Sequence, residues 1–266
     1  MEFTFGIITN NGNLLDKMIE SIYAMDIPKD KYEIIIVGSC DIKYTDNIIK
    51  VAFDESIKSM WITKKKNLIT LHSTKENIVY MHDYIGFDKD WYSGFLRFGN
   101  DWDVCSTPQY NQNGTRFRDW VLHECHFDNF EFKGSDRLIP YDNEAANYIY
   151  INGTYWVAKK QAMIEAPLDE DLGWGQSEDI AWSKYIKWKR YKIKINTYST
   201  VNLLRQKDVV FTEMKSDFYE NKFKPFIMDT ERNNRYFENN QVLYENTCSF
   251  LTKFIRGNFK QKYLGL

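Results

Sequence analysis

Two stretches carry carboxylates at positions where they could do chemistry. In "IVYMHDYIG" (78–86), four apolar or aromatic residues run directly into His82, Asp83 and Tyr84. A carboxylate at the end of a buried strand can ligate a hard divalent cation, and such a cation can neutralise a diphosphate. The plainer alternative is a strand that surfaces, with Asp83 solvated or forming a turn. In "LGWGQSEDIAW" (172–182), Gly173 and Gly175 make a flexible turn around Trp174, and Glu178 and Asp179 then open a helix. Acidic residues in a first helical turn commonly complement the macrodipole. The chemical reading is a general base beside an aromatic platform, because an acceptor hydroxyl needs both a proton acceptor and a surface to lie on.

Three further stretches carry weaker signals. "HECH" (123–126) offers two His, a Cys and a Glu to a metal, but no second pair of ligands follows downstream. "KKKN" (64–67) reads as a solvated charge run, with one Lys able to face a nucleotide. Residues 250–266 interleave Lys253, Arg256, Lys260 and Lys262 with Phe250, Leu251, Phe254, Ile255 and Phe259 and hold no acidic residue. That pattern suits a helix docked on the domain or a peripheral contact with an anionic membrane.

The elements that must position these groups begin with "FTFGIIT" (3–9), an apolar β-branched run that reads as a buried strand. "NNGN" breaks it. Leu14, Leu15, Met18, Ile19, Ile22 and Tyr23 then recur at helical spacing, with Asn13 as the expected N-cap and Pro28 beyond the helix end. "YEIIIVG" (32–38) is a second buried strand, so the chain opens with a parallel, right-handed βαβ unit. A short helix and a third strand (77–82) follow, whereas "IKSMWIT" (57–63) reads only weakly as a strand. Ligands of open α/β sheets sit outside the carboxyl ends of strands. Thr9-Asn10-Asn11, Gly38-Ser39-Cys40-Asp41 and His82-Asp83-Tyr84 should therefore meet at one edge. Residues 106–147 form a polar, irregular excursion. "YIYINGTYWVAKK" (148–160) is strand-like on both sides of a Gly, Ser177 should cap a helix over 178–189, and "YKIKINTY" alternates as a strand.

Composition bounds the function. The 266 residues suffice for one large domain, or one domain with a small appendage. With 35 basic against 37 acidic residues and a net charge of −2, the chain lacks the basic footprint of a general nucleic-acid binder. Cys40, Cys105, Cys125 and Cys248 form no C-x-x-C, so neither a zinc ribbon nor a disulfide framework is expected. No signal-peptide pattern opens the sequence and no apolar stretch is long enough to span a bilayer, so a cytoplasmic location is expected. The sequons Asn113-Gly-Thr115 and Asn152-Gly-Thr154 then read as accidental.

The order and spacing of these segments resemble a GT-A fold glycosyltransferase, closest to glycosyltransferase family 2. The resemblance covers residues 3 to 205. "FGIITNNGN" matches the first strand and its nucleotide-binding turn, and "IIIVGSCD" the second strand with its turn near base and ribose. "KKKNLITLHSTKENIVYMHDYI" follows the rhythm of a basic-Asn motif, a helix and a strand ending in D-x-D. "GWGQSED" matches the later acidic loop. The fold this implies is α/β: a Rossmann-like nucleotide-diphospho-sugar transferase fold with a mixed central sheet flanked by helices. The implied catalytic domain spans 1–207, with a nucleotide-sugar half (1–105) and an acceptor half (106–207). A C-terminal helical extension (208–266) would pack on it.

The resemblance further implies transfer of a sugar, with inversion, from a nucleotide-sugar donor to a glycan or other hydroxyl acceptor. A UDP-sugar is favoured, because uridine donors are common in the family. The implied donor contacts are Thr9, Asn10, Asn11, Gly38, Ser39, Asp41, Lys66, Asn67, His82 and Asp83. Asp83 would be the ligand of a divalent metal, Mn²⁺ or Mg²⁺, with His82 and Tyr84 standing where aspartates usually do. Asp179 would be the base, Glu178 would hold the acceptor or orient the loop, and Trp174 with Gly175 would receive the acceptor sugar. Many relatives carry a His after the final strand. "STVNLLRQK" has none, and Arg205 or Lys207 is expected to offset diphosphate charge instead. Two rivals remain. A sugar-nucleotide pyrophosphorylase would need a G-x-G-T-R loop that "TNNGNLL" lacks, and a non-catalytic GT-A-like scaffold would dispense with the acidic pair.

Overall fold

The computed structural model of the chain describes residues 1–123, 137–208 and 211–229. The opening βαβ unit comprises β1 (Phe3–Ile8), α1 (Leu15–Tyr23) and β2 (Tyr32–Val37). Next come β3 (Ile48–Val51), α2 (Ile62–His72), β4 (Asn77–His82), β5 (Ile85–Phe87) and α3 (Trp91–Phe98). The second half contributes β6 (Val104–Ser106), β7 (Gln109–Tyr110), β8 (Val121–Leu122), β9 (Arg137–Leu138), β10 (Ile149–Tyr150), β11 (Tyr155–Lys159), α4 (Lys160–Glu165), α5 (Glu178–Trp188), β12 (Ile193–Ile195), β13 (Val201–Leu203) and β14 (Thr212–Glu213).

Seven strands form the central sheet in the order β12-β6-β11-β4-β1-β2-β3. Strands β4, β1, β2 and β3 run parallel, while β11 lies antiparallel between β4 and β6. The sheet is therefore mixed, as expected. Side chains of successive strand residues point to opposite faces, and both faces are covered. Phe3, Phe5, Ile7, Ile34, Ile36, Val79 and Met81 pack with Leu15, Met18 and Ile19 of α1 and with Trp91 and Phe95 of α3. Ile35, Val37, Ile78, Tyr80, Trp156 and Ala158 pack with Ile62 and Ile69 of α2, Met163 of α4, and Trp182 and Ile186 of α5. A Cβ on Gly6 would lie 2.3 Å from Ile69, so the bare backbone lets α2 settle on the sheet.

The register decides the site. Ile8 pairs with Val37 on one side and with His82 on the other, so three strands end together. Gly38, at φ +126°, follows β2; a Cβ there would lie 2.0 Å from the Thr9 carbonyl oxygen, which only glycine tolerates. A second small sheet, β5-β13-β7, leaves that edge at once. Because β5 pairs antiparallel with β13, the residues after Leu203 come back beside Tyr84.

Several local expectations need correction. Leu14, not Asn13, occupies the N-cap position of α1, and it makes no side-chain cap. The turn is closed instead by the Gly12 N–H donating to Thr9 Oγ1 at 2.9 Å. Ser177 stands at the N-cap of α5 with left-handed backbone (φ 59°) and likewise makes no cap bond. The edge strand β3 has no counterpart among the expected strands, because its sequence IIKV is half exposed and carries no clean alternation. The excursion over 106–147 contains short strands that join a four-stranded sheet, β10-β8-β9-β14.

The described part of the expected helical extension opens with the short strand β14 and is helical from Ser216 to Ile227, where buried Tyr219, Phe223 and Ile227 pack near Tyr148. The calls on Glu124, Cys125, His126, Cys248 and the 250–266 tail lie outside the described residues. Among the described residues, no helix is long and apolar enough to cross a membrane.

Candidate active site

The three expected turns meet at the sheet edge. Thr9 donates from its hydroxyl to Asp83 Oδ2 at 2.6 Å, and its own N–H donates to Val37 O at 3.1 Å. Asp83 is half-buried; Asn10, Asn11, Ser39 and Asp41 are exposed around it. Tyr84 is buried, and its N–H closes a tight turn on the His82 carbonyl at 2.8 Å. That turn leaves Asp83 at its apex.

Cations gather beside it. The Arg205 guanidinium lies 4.0 Å from the Tyr84 ring centroid and the Lys207 ammonium 4.8 Å from it. Both are held there by backbone: Leu204 N–H donates to Tyr84 O at 2.8 Å, and Lys207 N–H donates to Asn111 Oδ1 at 2.8 Å. Burial, together with the neighbouring Arg205 and Arg118 charges, lowers the Lys207 ammonium below its usual range, while Asp83 acts in the opposite sense. Burial first, then the Lys66, Lys207 and Arg205 charges, hold the His82 imidazole well below its ordinary pKa, so it is neutral. Arg118 had no place in the sequence reading. A lone Arg in an irregular segment gives no periodic signal, and only the fold carries it to this edge.

The "KKKN" run is not a solvated face. Lys65 and Lys66 are both fully buried on α2. Lys64 pairs with Glu170 at 3.1 Å. The Lys65 ammonium donates to Thr9 O at 2.8 Å and to Asn10 Oδ1 at 2.5 Å, and forms an ion pair with Glu55. It therefore shapes the first turn from beneath, a role no sequence signal assigned to it. Lys66 points the other way, donating to Gly153 O at 2.7 Å beneath the acidic pair. Asn67 is corrected as well. Its amide donates to Leu168 O and Glu170 Oε1 and accepts from Leu168 N, so it fastens the 168–170 loop and is not presented to a ligand.

That loop leads to the acidic helix. Trp61 Nε1 donates to Glu170 O at 2.6 Å, and Thr63 Oγ1 donates to Leu172 O at 2.6 Å. The start of α2 therefore staples the segment that ends in Trp174, which is 60% exposed and free to meet a ligand. Gly175 takes φ +79° and carries the chain into Glu178 and Asp179. Asp179 accepts from Gly153 N–H through Oδ2 at 3.0 Å and from Ile180 N–H through Oδ1 at 2.9 Å. Glu178 is buried. Burial and the neighbouring Asp179 raise its carboxyl above the usual range, against the pull of Lys66.

At the sheet edge Asp83 offers a divalent cation one carboxylate, so the other ligands of such a cation would have to come from the diphosphate and water. Asp83 brings one carboxylate, already bonded to Thr9, and the Lys207 ammonium lies close enough to feel its charge. Among the described residues no group of three His, Cys, Asp or Glu side chains converges on one point. What the arrangement can do is receive an anion at the strand ends and present a carboxylate pair across from it.

No family model and no curated protein matches the chain. Solved structures do. The S. aureus TarS 1–349 fragment in complex with UDP-GlcNAc superposes with a TM-score of 0.53 at 14% identity, covering 83% of this chain and 64% of that one. The mannosyltransferase PcManGT from Pyrobaculum calidifontis, in complex with GDP-Man and Mn²⁺, gives 0.51 at 15% identity over 76% of this chain and 56% of its own. GalNAc-T7 with UDP, GalNAc and Mn²⁺ gives 0.53 at 10% identity over 78% and 44%. This chain therefore spans less than two thirds of the length of these neighbours. At these identities the likeness establishes the fold, a GT-A fold.

Proposed function

Starting from that fold, we propose that the chain is a glycosyltransferase that moves a sugar from a nucleotide-sugar donor, a UDP-sugar by preference, to a hydroxyl acceptor with inversion. The observation that carries this reading is the meeting, at one sheet edge, of the Thr9–Asp83 turn with Arg205, Lys207 and Arg118, opposite the Glu178–Asp179 pair. The solved neighbours in complex with UDP, UDP-GlcNAc and GDP-Man support it.

In this reading the nucleoside lies over the exposed turns at 9–11 and 38–41. The diphosphate lies near Asp83, where Arg205 and Lys207 offset its charge. The acceptor sugar stacks on Trp174 and presents its hydroxyl to Asp179. The hydroxyl oxygen attacks the anomeric carbon, and the bond from that carbon to the diphosphate oxygen breaks. The nucleoside diphosphate leaves with the electron pair, and the proton passes to the Asp179 carboxylate. Two backbone N–H groups, those of Gly153 and Ile180, hold the Asp179 carboxylate in one orientation. Cations positioned before the reaction stabilise the leaving charge without reorganising. A divalent cation at this edge would be held by Asp83 together with the diphosphate and would add to the charge that stabilises the leaving group.

The test is a thermal-shift panel of UDP-, GDP-, dTDP- and CMP-sugars, since a ligand that binds the native state raises its melting temperature by mass action. Product analysis with the stabilising donor and simple sugar acceptors follows. Stabilisation with inverted product supports the reading, and stabilisation by none of the four removes it. The lone carboxylate at Asp83 favours one second reading, a GT-A module that binds nucleotide without transferring. Stabilisation without turnover over the acceptor panel would select it.

A further inference from the structure

The buried Lys66 is the least explained group near the site. It is fully buried, its ammonium has a single hydrogen-bond partner among the described residues, and it lies 4.4 Å from the Trp156 ring centroid. A buried ammonium carries a large desolvation cost unless its surroundings use the charge. A methionine would fill the same space between α2 and the sheet without that cost.

The partner explains the retention. Gly153 sits in the turn Asn152-Gly153-Thr154, between β10 and β11. Its carbonyl oxygen accepts from Lys66 at 2.7 Å, and its N–H donates to Asp179 Oδ2 at 3.0 Å. The turn is closed by Thr154 N–H donating to Asn152 Oδ1 at 2.9 Å. It is tied to the donor strand by His82 N–H donating to Thr154 O at 3.1 Å. A Cβ on residue 153 would lie 3.1 Å from Glu178 Oε1 and 3.3 Å from Asp179 Oδ2, so the acidic pair rests directly on this backbone. Glycine has the most backbone freedom of any residue. The bond from Lys66, together with the His82 imidazole that also reaches the Gly153 backbone, narrows the directions this glycine can take.

We propose that Lys66 is a positioning residue: by pinning the Gly153 carbonyl it aims the Gly153 N–H that orients the Asp179 carboxylate. The sequon-like triplet thereby becomes the link between the donor-side helix α2 and the acidic helix α5. The catalytic consequence rests on the proposed function; the positional link does not. Both Glu178 and Asp179 also feel the charge, which works against the burial that pushes the Lys66 ammonium down to about 8.

Lys66→Met, Lys66→Gln and Lys66→Arg in the full chain test it, with hydrogen exchange and steady-state kinetics as readouts. In Lys66→Met, backbone exchange in peptides spanning 151–155 and 177–181 should rise about tenfold, with peptides over α1 unchanged. Transfer should fall about 10²-fold in kcat, as a misaimed base implies, with the donor KM within about threefold. Lys66→Arg, which keeps a charged donor, should recover part of both effects. If Lys66→Met does not fold, the Gln and Arg variants make the same comparison. Unaltered exchange in the two segments overturns the proposal, and so does a loss carried wholly in the donor KM, which would mean that Lys66 meets the donor. A wild-type chain that transfers nothing removes the proposed function alone, since the exchange comparison still decides the link.

Discussion

The Thr9 hydroxyl donates to Asp83 Oδ2 at 2.6 Å and accepts from Gly12 N–H at 2.9 Å, joining residues 74 positions apart into one strand-end surface. Thr9→Val keeps the shape and removes both bonds. A hydrogen bond to a charged group contributes about 1.5–3 kcal/mol. UDP binding measured by calorimetry should therefore weaken by roughly 10–100-fold. Equal affinity in the variant would mean that the turn does not contact the donor.

Asp83→Ala should weaken donor binding further, while transfer by the wild-type chain should persist in EDTA, because Arg205 and Lys207 offset the leaving charge without a metal. Loss of activity in EDTA, restored by Mn²⁺, would overturn the cationic account of the leaving group.

Arg205→Ala and Lys207→Ala should each reduce UDP affinity, and their effects should shrink as salt rises, since Arg205 is exposed and its charge is screened. A titration series between low and high ionic strength checks this. A salt-independent loss would point to packing on Tyr84 instead of charge.

Asp179→Asn should retain donor affinity and lose transfer by about 10²–10⁴-fold. Trp174→Ala should leave donor binding alone and raise the acceptor KM. If neither substitution moves a kinetic constant, the acidic helix is a decorated helix start.

Glu178 gives a pH-dependent prediction. Its carboxyl is raised by burial and by Asp179. A raised folded pKa contributes stability below the unfolded value of 4.5, and that contribution is lost as pH rises through the folded value. At neutral pH the ionised side chain is therefore a burden on the native state. Glu178→Gln should raise Tm at pH 7 by about 2–4 °C, and the gain should vanish below the unfolded pKa. Melting curves at pH 4 and pH 7 decide the sign. Transfer should fall in the same variant, separating function from stability.

The strand ends were legible because each is an unbroken apolar run followed by polar residues. Parallel pairing then forces Thr9, Gly38 and Asp83 to one edge. The acidic pair was legible for a different reason: a Gly-Trp-Gly turn before two carboxylates is unusual enough to stand out. The edge strand β3 was not, since half-exposed strands lose the alternation that marks them.

The sequence by itself determined the βαβ opening, the site edge and the carboxylates, since these follow from hydrophobic runs and local turn chemistry. Tertiary structure alone decided where the charges point. Lys64, Lys65, Lys66 and Asn67 are consecutive, yet on α2 they reach Glu170, Thr9, Gly153 and Leu168 in turn. A helix rotates each residue by about 100° from the last. A charge run therefore fans out over different neighbours, and which neighbours stand there depends on the packing of strands and loops far along the chain.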